Sequence, residues 1–139
     1  MTNQEKKQYL RRYQTINADI NQMCEELSEW RTKATKITPT ISDMPKSDGG
    51  ENRLQGAVDH IVEIESKINA RIDELVQARE EVMQVIEAVD DPKLRLILKH
   101  RYINGGKWEQ IAVDLGYDYR WLLRLHGQAL NKLTIESHY

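Results

Sequence analysis

The chain has 139 residues, with 20 Lys plus Arg against 22 Asp plus Glu and a formal net charge of −2, a size that suits one ordinary domain. Three Pro, seven Gly and no Phe favour long helices over a β sandwich, which needs many turn residues. The apolar runs fall far short of the ~20 residues of a membrane span, the opening MTNQEKKQYLRRY has no signal-peptide core, and the lone Cys24 excludes an internal disulfide or a cysteine-based zinc site.

The expectation is therefore a soluble, cytoplasmic, all-α protein. Its near-neutral total conceals a split: residues 1–91 hold 12 Lys/Arg and 18 Asp/Glu, a net of −6, whereas residues 92–139 hold 8 and 4, a net of +4. An asymmetry of this kind makes the basic part a candidate for nucleic acid.

In chain order, Tyr9, Tyr13, Ile16, Ile20, Met23, Leu27, Trp30, Ala34 and Ile37 recur at alternating steps of 4 and 3, one apolar seam on a helix. Pro39 disfavours helical geometry in the residue before it, which predicts a helix end at Thr38, and TPTISDMPKSDGGEN predicts a loop over 38–52. A second seam runs through Leu54, Val58, Ile61, Glu65, Ile68, Ile72, Leu75, Arg79, Val82, Ile86 and Val89, broken by Glu65 and Arg79. Two seams joined by one loop predict a long antiparallel helical hairpin, coiled-coil-like, over residues 1–91. The length of the second helix suggests that part of its seam is covered by another chain, giving a homodimer through the hairpin.

Asp91 and Pro92 suit the cap and first position of a new helix, with Leu94, Ile97, Leu98 and Tyr102 on its buried side and Asn104-Gly105-Gly106 as its stop. A short helix from Trp108 to Leu115 follows, ended by Gly116. Asp118 then caps a last helix reaching Leu133, with Leu122, Leu125, Ala129 and Leu133 as its buried stripe. Short helix, Gly turn and capped second helix make a helix-turn-helix within a domain over 92–139.

Residues 108–133 read WEQIAVDLGYDYRWLLRLHGQALNKL. Through Glu109, Ile111, Ala112, Leu115, Gly116, Asp118, Leu122, Leu125, Ala129, Leu130, Lys132 and Leu133 the segment resembles region 4 of sigma-70-type factors. The whole layout is similar to phage-encoded transcriptional regulators of the ArpU/RinA late-gene type. The resemblance implies a regulator of phage or prophage genes in a bacterial host cell, with double-stranded DNA and RNA polymerase as partners. It implies DNA-binding roles for Tyr119, Arg120, Arg124 and Gln128 on the reading helix; an Arg can grip guanine with two hydrogen bonds. Lys99, Arg101 and Lys107 would hold phosphates, and His126 stands near the nucleic-acid side. Trp121 and Leu123 depart from the pattern, which usually has basic residues there, and suggest a protein partner instead. Gly106 is the expected cap of the short helix, and Trp108 is expected in the core.

Two rivals stand beside this reading: a DNA-packaging protein of the small-terminase kind, and a protein-interaction module that has lost DNA binding. His60, His100, His126 and His138 lack metal-ligand spacing, no Gly-rich phosphate loop or nucleophile–base pair is present, and Glu63, Glu65, Glu80 and Glu81 read as a wet helix face. No catalytic residue, no metal and no cofactor is expected, and Cys24 is expected as a small packed hydrophobe.

Overall fold

A computed structural model describes residues 1–43 and 48–136, with side chains placed over 1–37 and 51–136. The described residues are helical: α1 (Asn3–Leu10), α2 (Arg12–Asp43), α3 (Asp48–Glu87), α4 (Pro92–Leu98), a π-helical turn (Lys99–Ile103), α5 (Trp108–Leu115) and α6 (Tyr119–Lys132). The all-α reading holds. α2 passes the stop expected at Pro39, and α3 begins before Asn52. Proline's fixed φ is itself helical, so its cost to a helix is a missing donor and a local clash rather than an obligatory stop. Residues 44–47 of the expected loop lie outside the described residues.

The chain divides into two compact units, residues 17–74 and residues 1–16 with 75–139. In the first, α2 and α3 run antiparallel: as α2 advances from Asp19 to Arg31, its partners on α3 retreat from Arg71 to Glu65, at 2.5 and 2.8 Å. Ile20, Leu27, Ala57, Ile64 and Ile68 are buried along this pair. On α3 the buried residues are therefore Ala57, Ile64 and Ile68, with Ile61 half-buried, while Val58 and Ile72, expected in the seam, are exposed. Alanine lets two backbones approach closely, so Ala57 holds the seam position expected of the larger Val58.

In the second unit α1 begins with a capping box: the Thr2 hydroxyl accepts from the Glu5 amide, and the Glu5 carboxylate accepts from the Thr2 amide. That reciprocal pair satisfies two amides which the first turn leaves without partners. Asp91 caps α4 through the Lys93 amide at 2.9 Å, with Pro92 at the first turn. The core collects Leu10 of α1, Val82 and Ile86 of α3, Leu94, Ile97 and Leu98 of α4, Tyr102, Ile111, and Leu122, Leu125, Ala129 and Leu130 of α6. α1 is tied to α6 by the Lys6 ammonium, which donates to the Leu130 carbonyl at 2.8 Å, and by the Asn3 amide, which donates to Asn131 at 2.9 Å.

Candidate functional site

The α5–α6 pair forms as its turn chemistry requires. Gly116 adopts φ 71°, a left-handed conformation that any side chain would strain, and Asp118 caps α6 by accepting from the Trp121 amide at 3.4 Å. Leu122, Leu125 and Ala129 fix α6 against the core. That leaves Tyr119, Arg120, Trp121, Leu123, Arg124 and Gln128 exposed.

The other residues singled out in this region are placed differently from expectation. Lys107, not Gly106, occupies the cap position of α5, and it makes no side-chain capping bond. Gly106 is instead packed, its amide donating to the His100 carbonyl at 3.0 Å. Lys99 is engaged in an ion pair with Glu87, which lowers the Glu87 pKa. Arg101 donates to the Gly106 carbonyl at 2.9 Å and stacks over the Trp108 ring at 4.6 Å. Trp108 is half-buried against the core, its ring 4.5 Å from that of His126. His126 is buried, with its Nε2 2.7 Å from the Tyr102 hydroxyl. Its pKa falls to about 4, first because burial penalises the imidazolium and then because Lys7, Arg101 and Arg11 stand nearby.

On the α2–α3 pair, Trp30 lies 4.4 Å from the His60 ring, and the Lys33 ammonium lies 4.6 Å over the indole. These residues border an open groove of about 580 Å3 with Ile37 and Ala57 on its apolar part and Lys36 and Arg53 at its edge. Of the carboxylates expected on the wet face, Glu63 pairs with Lys67, Glu65 with Arg31 and, in the other unit, Glu81 with Arg12, while Glu80 is exposed. Cys24, expected to be packed, is exposed. Among the described residues no helix is long and apolar enough to cross a membrane.

A family model described as the C-terminal region of the microtubule-binding protein MIP-T3 matches residues 10–91. No curated protein and no solved structure matches the chain. The match covers well over half of the sequence and overturns the resemblance to phage ArpU/RinA regulators. With it fall the assignment as a DNA-binding regulator of phage genes, the small-terminase alternative, and double-stranded DNA and RNA polymerase as partners. The bacterial host cell as its location falls too. The residues that carried the resemblance, Ala112, Gly116, Leu122 and Leu125 among them, are those that any tight helix–turn–helix needs for packing, and packing does not specify a ligand. Against the expected homodimer through the hairpin, in residues 17–74 the α2 seam meets α3 of its own chain.

Proposed function

Because the chain belongs to the family of the C-terminal region of the microtubule-binding protein MIP-T3, we propose that it is a non-catalytic microtubule-binding protein whose paired helices carry the contact. The observation that carries this reading is the coincidence of the matched residues, 10–91, with α2 and α3. The groove beside Trp30 and His60 supports it, since an aromatic residue together with apolar Ile37 and Ala57 and a cation such as Arg53 in one lining resembles the make-up of a protein-binding patch. Residues 1–91 carry a net −6, which would repel an acidic partner surface at long range, so local contact at the groove has to supply the affinity.

The test is co-sedimentation of the full chain with stabilised microtubules. Saturable pelleting is expected, weakened at least about tenfold by Trp30→Ala with Lys33→Ala, in line with the loss of an aromatic anchor. Circular dichroism of the double variant reports whether the helices persist. Recovery of the chain in the supernatant at every microtubule concentration would overturn the reading.

A further inference from the structure

Asn3, Lys7 and Arg11 recur every fourth residue and so share one face of α1 and its C-terminal cap. The bonds from Lys6 and Asn3 to the end of α6 set that face as one wall of a cleft of about 340 Å3. Arg101 and Trp108 stand in another wall, with His126 and Gly127 also lining the cleft. The volume is at the lower end of the range for ligand clefts, about 300–1,000 Å3.

Three features bear on what this cleft can hold. Its lining includes Lys7, Arg11 and Arg101 and no acidic residue. Among the described residues no carboxylate lies within ion-pair distance of these three, so their charge is not neutralised by a side chain beside them. Arg101 comes from the π-helical turn Lys99–Ile103, a rare local conformation that recurs at functional sites, and it is held in place by the Gly106 carbonyl and the Trp108 ring. Gly127, inside α6, is the third feature. Glycine is a poor helix residue, yet a Cβ there would meet nothing within 4 Å, so packing does not demand it and its absence of a side chain leaves the cleft open. The positive field is registered by His126, whose protonation Lys7, Arg101 and Arg11 all oppose after burial itself.

We propose that this cleft binds a short acidic peptide segment, its carboxylates between Lys7, Arg11 and Arg101 and a neighbouring apolar side chain against Trp108 and Leu123. The apolar share of the lining, from Trp108, Leu123 and Leu130, favours a peptide over a nucleic-acid backbone, which has only phosphates and sugars to offer. The site goes beyond the microtubule reading: of its lining only Arg11 falls inside residues 10–91, and either can fail without the other.

The experiment is fluorescence anisotropy of a fluorescein-labelled Glu-Glu-Leu-Glu-Glu peptide titrated with the full chain. Saturable binding is expected, with Lys7→Ala plus Arg11→Ala raising Kd at least about tenfold, as for loss of close charge pairs. Gly127→Phe, which leaves every charge in place, should abolish binding, while Lys67→Ala, a cation elsewhere, leaves Kd unchanged. If Gly127→Phe fails to fold, the charge reversal Lys7→Glu takes its place. No binding by the wild-type chain at low salt, or binding indifferent to these variants, overturns the proposal. So does a short DNA duplex that binds more tightly than the peptide and loses affinity in the same variants.

Discussion

The Tyr102 hydroxyl lies 2.7 Å from Nε2 of His126, and both residues are buried where the π-helical turn meets α6. Burial raises the Tyr102 pKa and lowers that of His126, so over the neutral range the pair is two uncharged groups sharing one hydrogen bond. Removing either partner leaves the other without its bond inside the core.

Stability should depend on pH through His126. Its folded pKa, about 4, lies below the ordinary 6.5, so between these values the unfolded chain binds a proton that the folded chain refuses. The contribution is fully present above about pH 6.5 and lost as pH falls toward about 4, by up to about 3 kcal/mol. Urea unfolding at pH 7.5 and pH 5 measures it. His126→Gln should flatten the profile in that window; an equally steep fall in the variant would assign the effect to carboxylates instead.

Three glycines should respond to alanine with different signs. At Gly106 a Cβ would stand 3.0 Å from both the His100 carbonyl and the Ile111 side chain, and Gly106→Ala should cost about 1–3 kcal/mol through overpacking. Gly116 has φ 71° with open space around it, so Gly116→Ala should cost about 1–2 kcal/mol of backbone strain alone. Gly127→Ala should stabilise by about 0.5–1 kcal/mol, because the helix interior there has room for a methyl group. Thermal melts of the three variants order them, and destabilisation by Gly127→Ala would contradict the open space described.

Much of the second unit was legible in the sequence because its punctuation is chemical. Asp91-Pro92, Asn104-Gly105-Gly106, Gly116 and Asp118 each mark a helix end, and the buried stripes of α4 and α6 follow. The Thr2–Glu5 capping box was equally readable, as a Thr three residues before a Glu, and marks the start of a helix that packs on α6. The cleft was not readable, since Lys7, Arg101 and Gly127 are far apart in the chain and meet only through packing. The expected boundary near Asp91 follows the change in charge, whereas residues 1–16 and 75–91 are grouped with the C-terminal helices by long-range contacts that carry no local signal.

Adjacent residues on α6 should separate cleanly. Trp121 is 44% exposed and Leu122 fully buried, so Trp121→Ser should alter stability by no more than about 0.5 kcal/mol, while Leu122→Ala should cost about 2–5 kcal/mol. Equal losses in chemical denaturation would mean that the helix is rotated from the phase described.

The register of α3 can be tested in the same way. A 4-and-3 run through Ile61 and Ile68 can take either Ile64 or Glu65 as its intermediate member, and pattern alone favoured the line through Val58, Glu65 and Ile72 because Ala57 is too small to signal burial. In the structure Ile64 is 4% exposed and Ala57 2%, against 41% for Val58 and 40% for Ile72. Ile64→Ala should therefore cost about 2–5 kcal/mol. Glu65 meets Arg31 at 2.8 Å, but both side chains are largely in solvent, and a double-mutant cycle on that pair should return at most about 0.5–1 kcal/mol, fading with added salt. The opposite ranking, with Glu65→Ala the more damaging, would place Glu65 in the seam and rotate α3 by one residue.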